Sequence, residues 1–142
     1  MIKGLEHAAL SVADLERSIA FYRDLLGFEV IRIIDPGSTL RLGKVVGLPG
    51  CRARIAHLQK GSAMLELFEY HQPRGRELPD DHTQADHGFI HIGITSSDTR
   101  ADYEQLRRRG VRFIGAPVEF RPGVWIVYFY GPDREVCELR QT

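Results

Sequence analysis

From His7 onward small and apolar residues alternate in HAALS, the period-two pattern of a strand with one covered face. Asp14 then precedes a stretch in which Leu15, Ile19, Tyr22 and Leu26 recur at helical spacing, and Gly27 follows the last of them. An aspartate there can accept hydrogen bonds from the free amides of a first helical turn, and a glycine can take the left-handed conformation that ends a helix. Strand signals occupy residues 28–34, 52–59 and 63–70, with Lys60 and Gly61 supplying turn chemistry between the last two.

The pattern then starts again. HAALSVAD at residues 7–14 overlies HIGITSSD at 91–98, an offset of 84 from His7 to His91. Asp98 takes the place of the cap, Tyr103 and Leu106 give a thinner stripe, and Gly110 ends the helix, so this second helix is expected to be the more exposed. Strand signals follow at 111–114, 124–130 and 135–140, with Gly131, Pro132 and Asp133 turning between the last two. The order βαβββ thus occurs twice and predicts an α+β fold. It is read as one domain over residues 1–142, with a first module at 1–70, a linker at 71–86 and a second module at 87–142. Two segments break the symmetry. Residues 35–51, rich in Gly and Pro, read as a loop with a short helical turn at Leu42–Val46, long enough to lie over a site as a lid. The linker carries the polar run HQPRGRELPDDHTQ.

With 142 residues the chain can bury a real core, and its 19 basic and 19 acidic side chains cancel. That balance argues against a nucleic-acid backbone or an anionic membrane as partner and leaves a small molecule as the default. The two cysteines, Cys51 and Cys137, have neither the CxxC spacing of zinc and redox sites nor the density of a secreted scaffold, which suits a reduced cytoplasm. The opening MIKGLEHAAL lacks a basic segment followed by a long apolar one, and no apolar run approaches about 18 residues. Neither a signal peptide nor a membrane span is expected.

The repeat also places chemistry. His7 and His91 are equivalent, and each copy ends in a strand with a carboxylate between apolar residues: Glu66 in MLELF and Glu138 in VCELR. Alone, a strand histidine is usually a satisfied core or surface residue and a strand glutamate faces solvent; four at repeat-equivalent places are harder to explain that way. If each module curls its sheet, two imidazoles and two carboxylates can share one divalent cation. They offset its charge and leave two of six positions open to water or substrate.

The segments LEHAALSVADLERSIAFYRDLLGFEV, LELFEY, GFIHIGI and VYFYGPDREVCELR resemble the vicinal oxygen chelate superfamily. That superfamily includes glyoxalase I, methylmalonyl-CoA epimerase, extradiol dioxygenases, fosfomycin-resistance transferases and bleomycin-binding proteins. The resemblance implies two βαβββ modules forming a paired half-barrel, a metal cleft and a homodimer. It implies that His7, Glu66, His91 and Glu138 hold one divalent metal ion per site, whether Zn, Ni, Co, Mn or Fe. Ring-cleaving dioxygenases use two histidines and one glutamate, here His7, His91 and Glu138, so Glu66 favours the glyoxalase and epimerase branch.

The implied reaction is that of a metal-dependent isomerase, epimerase or lyase, in which a proton moves next to a carbonyl of a small vicinal-oxygen substrate through a metal-bound enediolate. Glu138 is the expected base, with Glu66 returning the proton or remaining a ligand. The alternatives are an Fe(II) ring-cleaving dioxygenase and a metal-free small-molecule or antibiotic-binding resistance protein. No glutathione-binding set is apparent. Arg17, Arg41 and Arg121 are candidates for an acidic substrate group, Phe68, Trp125, Val127 and Phe129 for pocket walls, and Tyr70 and Tyr130 for donors. His57, His71, His82 and His87 have no repeat equivalents and are read as surface or loop residues, and Arg107, Arg108 and Arg109 as a solvated helix face.

Overall fold

The alternation after His7 forms strand β1, His7–Ser11, and Asp14 caps helix α1, Leu15–Ala20, by accepting from the Arg17 amide at 2.9 Å. The structure, a computed structural model, describes residues 1–35 and 41–141. Helix α1 widens into a π-helical segment at Phe21–Leu25, and Gly27 follows with φ of 71°. The predicted stripe is the buried one: Leu15, Ile19, Tyr22 and Leu26 are at most 8% exposed. Next come β2 (Glu29–Ile34), the short α2 (Leu42–Val46), β3 (Arg52–Lys60) and β4 (Ala63–Gln72). Residues 36–40 of the expected lid lie outside the described residues.

These elements belong to a first compact unit, Met1–Glu77. Its sheet runs in the order β1-β4-β3-β2, with β4 parallel to β1 and antiparallel to β3. Helix α1 packs on β3 and β4, where Ala56, Leu58, Leu65 and Leu67 are buried. Period-two geometry then leaves the opposite face of β4 to Met64, Glu66 and Phe68.

The second unit, Leu78–Thr142, repeats the plan with β5 (Ile92–Thr95), α3 (Thr99–Arg108), β6 (Val118–Arg121), β7 (Val124–Tyr130) and β8 (Val136–Arg140). Its sheet order is β5-β8-β7-β6, with β8 parallel to β5 and antiparallel to β7. Asp98 caps α3 by accepting from the Arg100 and Ala101 amides, and Gly110 ends it with φ of 86°. Only Thr99 and Leu106 of this helix are buried, as its polar pattern predicts.

One predicted strand is different. Residues 111–114 form only an isolated bridge, Phe113 to Phe129, and ladder pairing to β7 resumes at Val118. Gly115, Ala116 and Pro117 intervene, and a proline has no amide to give a ladder. Among the described residues no helix is long and apolar enough to cross a membrane.

Candidate functional site

In the first unit, register assembles a row of side chains on the face away from α1. Ala9 of β1 pairs with Glu66 of β4, Glu66 with His57 of β3, and His57 with Arg32 of β2. His7, two residues before Ala9, shares that face and brings Nε2 to 3.3 Å from Glu66 Oε2. His57 Nε2 lies 3.2 Å from the other carboxylate oxygen, Oε1. Arg32 Nε donates to His57 Nδ1 at 3.2 Å, and His7 Nδ1 meets Glu6 Oε2 at 2.6 Å.

The second unit builds a matching row. Gly93 of β5 and Tyr128 of β7 flank Glu138 of β8 as Ala9 and His57 flank Glu66. His91, just before the first residue of β5, places Nε2 at 3.5 Å from Glu138 Oε2. Its Nδ1 lies 3.2 Å from Gln84 Oε1, and Gln84 is oriented because its Nε2 donates to the Ile90 carbonyl at 2.9 Å. Thus the structure brings together His7 with Glu66 and His91 with Glu138, one pair in each unit. Among the described residues no three His, Cys, Asp or Glu side chains are grouped to hold a metal ion.

Hydrogen bonding assigns the tautomers. Glu6 and Gln84 offer oxygen acceptors to the Nδ1 atoms of His7 and His91, so in the neutral rings Nδ1 carries the proton and Nε2 presents a lone pair. In both units that lone pair faces a carboxylate oxygen. Two acceptors at such a distance favour a positive charge between them, either a second proton on the ring or a cation. Imidazole Nε2 atoms backed by Nδ1 acceptors, each beside a carboxylate, are donors that suit a borderline divalent ion.

The electrostatics follow the same geometry. The hydrogen bond to Glu6, with the charges of Glu66 and Glu6, raises the His7 imidazole above its ordinary 6.5. Burial lowers His57, helped by Arg32 and His7 and opposed by Glu66. Burial raises the Tyr128 phenol above 10.0, and the neighbouring Glu138 charge adds to it.

Several expected roles change. His57 is not a surface residue: it is 8% exposed and directly opposite Glu66. The signal for it was available, because the tight turn after Lys60 sets the β3–β4 register that pairs positions 57 and 66. Trp125, Val127 and Phe129 do not share a face with Glu138. The pairing of Tyr128 with Glu138 turns these odd-numbered residues of β7 toward α3, where Thr99 Oγ1 donates to the Trp125 carbonyl. Phe68 does share the face of Glu66 and stacks on Tyr70, with ring centroids 5.9 Å apart. His71, His82 and His87 lie outside the strand row; His71 sits beside Glu69 and His82 beside Asp86.

Arg17 lies in α1, Arg41 at the start of α2 and Arg121 at the end of β6. In the second unit a different arginine adjoins the face of Glu138. Arg112 lies over the Tyr130 ring at 4.3 Å, in an open groove of about 520 Å³ lined also by Asp80, Phe113, Ile114 and Arg134. Tyr130 is two residues beyond Tyr128 and so on its face.

Comparison with known proteins agrees with this architecture. A family model described as the Glyoxalase/Bleomycin resistance protein/Dioxygenase superfamily matches residues 4–139. An ethylmalonyl-CoA/methylmalonyl-CoA epimerase from Cereibacter sphaeroides is 29% identical over 147 residues, covering 100% of this chain and 100% of its own. A probable lactoylglutathione lyase from Synechocystis sp. is 25% identical over 143 residues, covering 97% of this chain and 95% of its own. The crystal structure of a glyoxalase family protein from Bacillus cereus matches with a TM-score of 0.86 at 17% identity, over 99% of this chain and 94% of that one. At that identity the likeness is one of fold.

Proposed function

The chain belongs to the glyoxalase/bleomycin resistance protein/dioxygenase superfamily, and on that premise we propose that it is a metal-dependent isomerase, epimerase or lyase that moves a proton next to a carbonyl of a small vicinal-oxygen substrate. The observation that carries this reading is the pair of histidines whose Nδ1 atoms face oxygen acceptors and whose Nε2 atoms face carboxylates, His7 with Glu66 and His91 with Glu138. We propose that both pairs serve one divalent ion, within one chain or across a homodimer. The presence of a carboxylate in each pair, and relatives named as an epimerase and a probable lyase, favour this branch over ring cleavage or simple sequestration.

A divalent ion bound there supplies Lewis acidity, polarising the substrate carbonyl and offsetting negative charge on its oxygen. The chain's own groups do the rest. Glu138 takes the proton from the carbon beside the carbonyl and gives it back, while Glu66 stays with the ion. Tyr128, half-buried beside both His91 and Glu138, keeps water from that carboxylate. The Arg112–Tyr130 groove on the same side supports a substrate with an acidic arm.

The test is solvent-deuterium exchange at the carbon beside the carbonyl, followed by NMR for branched acyl thioesters and hydroxy-ketones with protein loaded in turn with Mn, Co, Ni and Zn. Glu138→Gln is expected to lower exchange by about 10²- to 10⁴-fold with the fold intact. Full turnover by that variant with metal bound removes Glu138 from the role. Oxygen consumption with iron, or tight ligand binding by the metal-stripped protein without exchange, replaces the reading with a dioxygenase or a binding protein.

A further inference from the structure

The two carboxylates hold repeat-equivalent positions, but their surroundings differ in one respect that bears on their roles. Beside Glu138 the strand partner is Tyr128, and the imidazole of His91 lies 3.5 Å from the carboxylate. Beside Glu66 the strand partner is His57, which is itself backed by Arg32. We propose that Arg32 and His57 form a positioning relay that fixes Glu66 as the anchored acid of the site and leaves Glu138 as the acid free to move. This rests on the reading that both carboxylates serve one cation.

The argument runs through hydrogen-bond polarity. A guanidinium can only donate, so the 3.2 Å contact from Arg32 Nε makes His57 Nδ1 an acceptor. The proton of the neutral ring is then on Nε2, the atom that lies 3.2 Å from Glu66 Oε1. His57 is therefore the opposite tautomer from His7 and His91. It cannot offer a cation the same lone pair, and it acts on Glu66 instead.

With Oε1 beside the His57 Nε2–H, Glu66 has Oε2 left, and that is the atom facing His7. The carboxylate is thereby held in one orientation and restricted to one oxygen toward a shared ligand. Glu138 has no imidazole on its strand partner to hold its second oxygen in the same way. A carboxylate that must swing between a cation and a carbon-bound proton needs that freedom, and one that keeps the cation in place needs the restraint. The departure from the repeat, His57 where the second unit has Tyr128, is what separates the roles.

The experiment has a metal-free arm and a metal arm. In the apo protein, long-range proton–nitrogen correlation spectra of the histidines are expected to show His57 protonated on Nε2, and Arg32→Met, a change at an exposed position, is expected to mix its tautomers. In the metal arm, Zn²⁺ affinity is measured by chelator competition for the unaltered protein, His57→Leu and His57→Gln. Removing a group that orients a ligand typically costs about 10- to 100-fold in affinity. His57→Leu is expected to lose that much, whereas the Gln variant, whose amide can still donate to Glu66, recovers most of it.

A His57 ring protonated on Nδ1 overturns the proposal, as does equal Zn²⁺ affinity in the Leu variant or a loss in the Gln variant as large as in the Leu one. Unfolding curves of the three proteins identify any loss caused by misfolding, and Arg32→Met then supplies the second comparison. Should the unaltered protein bind no divalent ion, the functional reading fails and takes the anchoring role with it, while the apo tautomer still reports whether the relay exists.

Discussion

Adjacent residues of β7 serve opposite faces, and the contrast between Phe129 and Tyr128 can be measured. Phe129 is fully buried, bridged to Phe113 with ring centroids 5.5 Å apart, and its strand partner Cys137 is also fully buried. A phenyl ring of this kind removes on the order of 150 Å² from water, worth about 4 kcal/mol at roughly 25 cal/mol per Å². That agrees with the roughly 3–5 kcal/mol typical of Phe→Ala substitutions in cores. Phe129→Ala is therefore expected to destabilise the second unit by about 4 kcal/mol, a large part of the roughly 5–15 kcal/mol a domain commonly has.

Tyr128→Phe removes only a hydroxyl from the half-buried face and is expected to stay within about 0.5 kcal/mol. Urea unfolding followed by fluorescence suits both variants, because Trp125 is the only tryptophan and lies on the same strand. With a slope of about 2 kcal/mol per molar urea, the Phe129→Ala midpoint falls by about 2 M and the other barely moves. A loss below about 1 kcal/mol for Phe129→Ala, or equal losses for the two, would refute the assignment of faces from which Glu138 and its neighbours were placed.

Two further outcomes follow from the same geometry. Asp98→Ala removes the acceptor for the Arg100 and Ala101 amides, at 3.2 and 3.1 Å, and is expected to cost about 0.5–2 kcal/mol in the same urea assay, with Asp98→Ser restoring most of it. The phenols of Tyr70 and Tyr128 are both raised above 10.0, by burial first and then by Cys51 and Glu138 respectively. Above pH 10 the folded chain therefore binds more protons at these sites than the unfolded one, so their contribution to stability falls as pH rises through that window. Urea midpoints stepped from below to above pH 10 are expected to fall less steeply in the Tyr70→Phe, Tyr128→Phe double variant than in the unaltered protein.

The architecture was legible because local signals agreed with one another. Asp14 and Asp98 cap, Gly27 and Gly110 terminate, and the stripe from Leu15 to Leu26 is buried as its spacing requires. The His–Glu pairs within each unit were legible through the repeat. What the repeat could not reveal was whatever departs from it. The repeat does not point to His57, because the second copy has a tyrosine at the matching place, although hairpin register alone pairs it with Glu66.

The run VWIVYFY is apolar on both sides, so no alternation marks which residues face the helix. Residues 111–114 have strand composition, but the Gly-Ala-Pro sequence after them limits pairing to one bridge, and the ladder forms later from the more polar VEFR.

Each acid-bearing strand, β4 or β8, is the last of its unit in chain order yet is seated in the middle of its sheet, between the first strand and the third. Its pairing with the third strand closes over a short turn, but its pairing with the first spans most of the unit's chain, and such long-range closure is the slow part of a mixed sheet. The imidazole–carboxylate contact therefore matures only when the first strand docks. A partly assembled unit presents a histidine with no acid beside it, so the imidazole–carboxylate pair and the completed sheet arrive in a single event.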